Sequence, residues 1–174
     1  QVKSLQGSSY VMPVTDDYSR YSIAYFLEKK SDAIKHLMEA ASYFESQTGN
    51  RVANIRADNG GEFTSSEAKA NYAKRGMTLL TSVPYSPQQN GVAERKNRTL
   101  VESTRAMLRT ARLPKTYWQY ALAAAVHVTN RLPSKANDGR SPFEVWSGTV
   151  PDISHLRVFG CQAYALIPKP KRKK

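Results

Sequence analysis

Two acidic residues, Asp58 and Glu94, are candidates for metal-dependent chemistry on phosphates, and 35 residues lie between them (94 − 58 − 1). Asp58 follows a short run of alternating apolar residues and precedes the turn-forming Asn59-Gly60-Gly61, which predicts a strand end beside a surface cleft. Glu94 falls in the first turn of a predicted helix that follows a loop rich in Pro and Gly. Carboxylates from a strand end and a helix can converge on one hard cation, as magnesium chemistry on phosphates requires.

The hydrophobic patterns predict the elements that must position these two residues. Strands are predicted at 10–15, 21–28, 52–58 and 77–81, and helices at 31–48, 66–75, 91–112 and 116–131. Ser31 is the predicted cap of the first helix, and Gly76 is the predicted stop of the second. Two short strands, 156–160 and 163–167, are predicted near the end of the chain. The order up to residue 112 is β-β-α-β-α-β-α, which is typical of an α/β layer.

The helix predicted at 91–112 carries a basic ridge. At about 100° per residue, one narrow stripe contains Glu94, Arg98, Arg105, Arg109 and Arg112. The opposite face, which should pack on the core, contains Ala93, Leu100, Thr104, Met107 and Ala111. The ridge can follow a phosphate backbone and bring it to Glu94. An ordinary solvated helix face, partly neutralised by Glu102, is the alternative.

The charge of the chain favours a polyanionic partner. The formal net charge is +12, from 26 basic and 14 acidic residues, and the tail at 169–174 supplies five of the positive charges. A solvated basic surface is the alternative, and charge alone does not decide between them.

Cys161 is the single cysteine, which excludes an internal disulfide. His36, His127 and His155 are widely spaced in the sequence, which predicts no His/Cys zinc cluster.

Two sequence blocks resemble the integrase core of copia-type long-terminal-repeat retrotransposons. They are Arg-Ala-Asp-Asn-Gly-Gly-Glu-Phe at 56–63 and Val-Pro-Tyr-Ser-Pro-Gln-Gln-Asn-Gly-Val-Ala-Glu-Arg at 83–95. Ser-His-Leu-Arg-Val-Phe-Gly-Cys at 154–161 is similar to the segment that follows the core in those polyproteins. The resemblance covers essentially the whole chain. It implies an RNase H-like mixed sheet flanked by helices, with the core at 1–148, a post-core segment at 149–168 and a basic tail at 169–174.

The resemblance implies DNA integration, in which polynucleotidyl transfer joins retrotransposon 3′ ends to target DNA with Mg²⁺ or Mn²⁺, two ions in the complete site. Of the three carboxylates implied, Asp58 matches the second and Glu94 the third. The first belongs to an upstream Asp-x-x-Gly-Pro strand, whereas residues 1–15 contain no acidic residue. We therefore expect the chain to start after that motif, to lack its first strand and to be inactive alone. Asp16 is the substitute candidate, although the resemblance assigns the run 16–20 to a hairpin connection.

Further site residues and partners follow from the same resemblance. Candidates for DNA contact are Tyr85 and Asn90 in the loop before the helix, together with Arg95, Arg98, Arg105 and Arg109. The implied partners are the retrotransposon ends, the target duplex and further copies of the integrase, with no membrane. The implied location is the nucleus, with a cytoplasmic particle stage, and the tail at 169–174 suits a nuclear-import signal or a DNA clamp.

Several alternatives remain open at this point. Asp58 could serve only to cap a turn, Glu94 could be an ordinary acid at a helix N-terminus, and the loop before the helix could be a surface loop without function. Glu62 is expected either to support Asp58 or to face solvent. At the level of function, the alternative is an inactive DNA-binding remnant. An RNase H or another transposase of the same fold is disfavoured by the block at 84–95.

Overall fold

The computed structural model of the chain describes residues 2–81, 91–166 and 168. Its strands are β1 (Tyr10–Thr15), β2 (Ser22–Leu27), β3 (Asn54–Ala57) and β4 (Thr78–Thr81). Its α-helices are α1 (Ala33–Thr48), α2 (Gly61–Thr64), α3 (Ser66–Arg75), α4 (Gly91–Thr110), α5 (Trp118–Thr129) and α6 (Pro142–Ser147). The predicted order β-β-α-β-α-β-α up to residue 112 is confirmed, with α2 as an additional single turn after Asp58. No helix of the described residues is long and apolar enough to cross a bilayer.

The first two strands form an antiparallel hairpin that runs from the pair Tyr10 and Leu27 to the pair Thr15 and Ser22. Alternate residues of a strand point to opposite faces, so β1 contributes to two separate clusters. One face packs against α1 in a cluster that includes Met12, Leu27, Ile34, Leu37 and Ile55. The other face packs against α4 and α5 in a cluster that includes Val11, Phe26, Leu100, Leu122 and Val126. The hairpin is therefore the middle layer of a three-layer arrangement.

The other two strands, β3 and β4, pair in parallel and are connected by α2 and α3. Among the described residues the four strands form two separate two-stranded sheets, as expected for an RNase H-like mixed sheet that lacks its first strand. A cavity of about 980 Å³ lies between them, bordered by β1 on one side and by β3 on the other. The resemblance places a further strand at this position. Within the described residues, β1 and β3 are each paired on one edge only, and their unpaired edges border the cavity.

Two buried asparagines connect the hairpin to the region after α5, and we call this contact the asparagine clamp. The Asn130 side chain accepts a hydrogen bond from Ser22 N (3.0 Å) and donates one to Ser22 O (2.7 Å). The Asn137 amide donates to Ser19 O over 2.8 Å. Both asparagines are about 95% buried, so each satisfies backbone groups that water cannot reach.

Three local predictions were wrong. Ser31 does not cap α1, because it lies inside a 3₁₀ turn (Lys30–Asp32) that precedes the helix. Large apolar residues occupy nearly all faces of the helix predicted at 116–131, which predicts a buried helix, but Tyr120 is 44% exposed. No strand forms at 156–160 or at the described residues of 163–167, where the chain is irregular with short turns. A strand needs a partner to hydrogen-bond with, and no strand of the described residues pairs with this segment.

Both ends of the described chain rest on the helical layer. Leu5 N donates to Thr116 O over 3.0 Å, and Trp118 Nε1 donates to Val2 O over 3.1 Å, so the N-terminal segment lies against the start of α5. Gly160, with φ of 79°, packs so closely on the end of α4 that a Cβ there would lie 2.4 Å from the Ala111 Cβ. The post-core segment therefore returns to the C-terminal end of α4.

Candidate active site

Asp58 immediately follows β3 and is exposed, as the sequence predicts. Its Oδ1 accepts a hydrogen bond from Gly60 N over 3.1 Å, so the carboxylate also caps the turn that leads into α2. Glu62 lies on the other side of the same glycine. A Cβ at Gly60 would lie 3.0 Å from both Asp58 Oδ1 and Glu62 Oε2. Two carboxylates therefore flank Gly60, where a side chain would fit only if they shifted slightly, and Glu62 stands beside Asp58.

Glu94 lies in the first turn of α4 and is exposed. Near it, the Arg95 guanidinium folds back over the start of the helix, with Nη1 3.2 Å from the position that a Cβ on Gly91 would take. The helix start thus combines the partial positive charge of its backbone N–H groups with a full positive charge. This combination attracts an anion such as a phosphate group.

The 980 Å³ cavity brings several predicted site residues to one place. Asp16, Asp58 and Glu62 line it, and α4 reaches it through Val92, Ala93 and Asn97. Glu94 directly follows Ala93 in the sequence, but it is not among the residues that line the cavity. Asp58 and Glu94 therefore belong to elements that border one cleft, and Glu94 lies outside its lining.

Asp16 has a structural role within the hairpin. Its Oδ2 accepts hydrogen bonds from Ser19 N and Ser19 Oγ, each over 2.7 Å. The adjacent Asp17 forms an ion pair with Arg20, which has φ of 63°. These contacts support the hairpin connection that the resemblance implies for the run 16–20.

The carboxylates near the cavity are of the type that binds a divalent cation, but they are too few to form a complete site. Carboxylate oxygens are the ligands that Mg²⁺ and Mn²⁺ prefer, and Asp58 and Glu94 are both exposed. Within residues 2–81, 91–166 and 168, however, no group of three or more His, Cys, Asp or Glu side chains could hold a metal ion. The described part of the chain therefore contains no complete set of carboxylate ligands for a metal ion.

The basic ridge lies on the solvent side of α4. Arg98, Arg105 and Arg109 are exposed, and the opposite face buries Leu100 and Thr104 against the core. None of the ion pairs formed among the described residues involves the three arginines. Their charges are therefore available to an external anion.

Two further residues of α4 were not predicted from the sequence. Asn97 lines the cavity one turn after Glu94, and its i+3 spacing could have indicated this position. Lys96 is largely buried and donates a hydrogen bond to Thr129 Oγ1 over 3.2 Å, and its burial lowers the pKa of its amine. Lys96 therefore joins α4 to α5 and does not belong to the ridge. Tyr85 and Asn90 lie outside the described residues, so their assignment as DNA contacts stays a prediction.

Comparison with known proteins identifies the family. The model of the family described as "Integrase core domain" matches residues 1–87, which is half of the chain. The chain belongs to the integrase core domain family. Residues 1–87 contain the hairpin, α1, the β3–β4 pair and Asp58, so the matched region includes one wall of the cavity and one candidate carboxylate.

Relatives of this integrase core domain occur in plant transposons. The "Retrovirus-related Pol polyprotein from transposon TNT 1-94" of Nicotiana tabacum is 40% identical over 174 residues, which are 100% of this chain and 13% of that protein. The corresponding polyprotein from transposon RE1 of Arabidopsis thaliana is 38% identical over 155 residues, which are 89% of this chain and 10% of that protein. The chain therefore spans about one eighth or less of the length of these curated relatives.

A solved structure shows the same fold. A chain in the cryoEM structure of the simian T-cell lymphotropic virus intasome in complex with PP2A regulatory subunit B56 gamma matches with a TM-score of 0.65 and 19% identity. The match covers 88% of this chain and 58% of that one. The RNase H-like fold of an integrase core, predicted from the sequence, is confirmed.

Proposed function

We propose that this integrase core domain is of the copia type and serves polynucleotidyl transfer, which joins retrotransposon DNA 3′ ends to target DNA. The observation that carries the proposal is the meeting of two elements at one cavity. Asp58 ends β3 at its rim, and the first turn of α4, which bears Glu94, borders it through Val92 and Ala93. In this proposal Asp58 and Glu94 are two of three carboxylates, and the third comes from a strand that occupies the cavity.

Each element has a defined task in the proposed reaction. Asp58 and Glu94 would hold a pair of Mg²⁺ or Mn²⁺ ions, which when bound activate the nucleophile and stabilise the leaving oxygen. Arg95 and the start of α4 would attract the phosphate group, and Arg98, Arg105 and Arg109 would position the duplex along the helix. Tyr85 and Asn90 would contact the DNA end. Further copies of the complete integrase would assemble around the two DNA ends.

The ridge can be tested by measuring DNA affinity at several salt concentrations. Replacing Arg98, Arg105 and Arg109 together with Ala should weaken duplex binding and reduce the slope of log K against log[salt] by about one unit per lost phosphate contact. The reason is that each arginine that neutralises a phosphate releases condensed counterions. Fluorescence anisotropy with a labelled duplex measures both quantities.

A matched control removes the same charge elsewhere. Lys35, Lys69 and Lys74 are exposed on α1 and α3, away from the ridge. Their triple Ala variant should bind with nearly the parent slope. Equal slopes for the two triple variants would show that only net charge matters, and the ridge assignment would be wrong.

The second candidate function is a DNA-binding remnant without catalysis. It is favoured by one observation, the lack of a three-carboxylate group among the described residues. The two candidate functions can be distinguished by restoring a third carboxylate, because only an integrase core would then gain strand-transfer activity.

The proposed reaction takes place on host DNA, so we place the protein in the nucleus after a cytoplasmic particle stage. The tail at 169–174, which lies outside the described residues, contains five basic residues that suit a nuclear-import signal or a DNA clamp. A fluorescent cytosolic reporter extended by the tail should accumulate in the nucleus. A tail with the five basic residues replaced by Ser is the control, and a reporter that stays cytosolic would exclude the import role.

A further inference from the structure

The buried apolar contact between α4 and α5 does not extend to the turn that bears Glu94. The two helices follow each other after a short connection and run antiparallel, so the first turn of α4 lies near the last turn of α5. Leu100 of α4 packs with Ala125 and Val126 of α5. Within residues 91–99, however, no side chain is fully buried. Burial of apolar side chains against α5 therefore leaves the start of α4 unfixed.

Lys96 continues the contact with α5 by one helical turn. It lies four residues before Leu100, and so on the same side of α4. Its Nζ donates a hydrogen bond to Thr129 Oγ1 over 3.2 Å. The side chain is largely buried, and this burial lowers the pKa of the amine. A buried ammonium group needs negative charge beside it to offset the water that it has lost.

The C-terminal end of α5 supplies that negative charge. No ion pair among the described residues includes Lys96. Thr129 is the last residue of α5, and its hydroxyl donates in turn to Val126 O over 3.3 Å. One hydroxyl therefore connects the ammonium to a terminal carbonyl of the helix, where the partial charge is negative. Arg131 Nη1 binds the same helix end, because it donates to His127 O over 3.2 Å.

The end of α5 is itself fixed to the hairpin. Asn130, the residue after Thr129, belongs to the asparagine clamp and binds both backbone groups of Ser22 in β2. The partner of β2 in the hairpin is β1, which borders the cavity. Lys96 therefore connects the start of α4, through the end of α5, to the hairpin that forms one wall of the cavity.

We propose that Lys96 is a positioning residue, which holds the first turn of α4, and with it Glu94, in a fixed place beside the cavity. Lys96 follows Glu94 by two residues, about 200° around the helix, so it acts on the site through the backbone of α4. An apolar side chain at this position would pack against α5 but would not bind its terminal groups. The inference rests on the proposed function where it concerns Glu94, whereas the contact with α5 does not.

The test is hydrogen exchange of the α4 amides, measured by NMR on the chain of 174 residues. The amides of 95–98 are the first that donate to carbonyls within the helix, so their exchange reports opening of its start. Lys96→Met keeps the aliphatic stem and removes the donor, and Thr129→Val removes the acceptor. Each should accelerate exchange at 95–98 about tenfold, the effect of losing one charge-assisted hydrogen bond. Exchange at 104–108 should stay at the parent rate.

Thr129→Ser is the matched control, because it keeps the hydroxyl and removes only a methyl group. Its exchange at 95–98 should match that of the parent. The double variant of Lys96→Met and Thr129→Val should exchange no faster than either single variant, because both remove the same contact. Equal effects of Thr129→Ser and Thr129→Val, or faster exchange along the whole of α4, would overturn the positioning role.

Strand transfer provides a second measurement, in a chain completed by the upstream strand. Lys96→Met should lower the rate at saturating duplex about tenfold, because Glu94 is misplaced, and should leave duplex affinity near the parent value. A lower affinity with an unchanged rate would place Lys96 in DNA binding and overturn the inference. If the completed parent chain transferred no strands, the proposed function would fail, and the exchange rates would still decide the role of Lys96.

Discussion

Residues 1–174 should catalyse no strand transfer in Mg²⁺ or Mn²⁺, whereas a chain extended upstream by a strand with an Asp-x-x-Gly-Pro motif should be active. The described residues contain no group of three carboxylates, and β1 and β3 leave their edges unpaired across the 980 Å³ cavity. An added central strand would pair with both edges and bring an acidic side chain next to Asp58. Strand transfer is measured with a labelled duplex that mimics a retrotransposon end.

A second extended chain distinguishes the effect of the added strand on stability from its effect on strand transfer. If Asn replaces Asp in the added strand, backbone pairing is kept and one carboxylate is lost. Both extended chains should unfold at higher temperature than residues 1–174, but only the Asp version should transfer strands. Strand transfer by residues 1–174 alone would contradict the prediction and would direct attention to Asp16. Asp16→Asn would then have to abolish that activity.

In the active extended chain, Asp58→Asn or Glu94→Gln should reduce strand transfer to background and leave duplex binding largely unchanged. Each substitution removes one negative charge from the proposed metal site and keeps nearly the same shape. Duplex binding should persist, because it depends on the exposed arginines of the ridge. Parallel assays of strand transfer and of anisotropy measure the two effects on the same preparations.

Glu102→Gln is the matched control for Glu94→Gln. Glu102 is an exposed acidic residue on the same helix, about two turns further along. Its substitution should leave strand transfer near the parent level. Activity close to the parent in Asp58→Asn or in Glu94→Gln would remove that residue from the proposed site.

Local signals in the sequence predicted most elements well. The helix at 66–75 begins at Ser66 and ends before Gly76, which has φ of 66°, because a left-handed residue at this position favours glycine. The stripe on α4 was predicted by the helical period alone, and its arginines are exposed as expected. Both features depend on residues close together in the sequence.

The features that the sequence did not predict depend on partners distant in sequence. The patterns at 156–160 and 163–167 resemble strands, but alternation does not indicate whether another strand lies beside them. The 35-residue spacing predicts that Asp58 and Glu94 belong to one site. It does not indicate that Ala93 and Asn97 line the cavity while Glu94 does not. The approach of the His127 and His155 rings, whose Nε2 atoms lie 3.4 Å apart, likewise depends on how the post-core segment returns to α5.

The asparagine clamp bears on where a domain boundary can be drawn. The family match ends at residue 87, but Asn130 and Asn137 hold the buried backbone of Ser22 and Ser19 inside the matched region. A chain cut at residue 87 would lose these hydrogen bonds and would expose the face of the hairpin that packs on α4 and α5. The region that the family model matches is therefore shorter than the part of the chain that these contacts hold together. Substitutions near Asn130 should consequently be felt by the hairpin, more than 100 residues earlier in the chain.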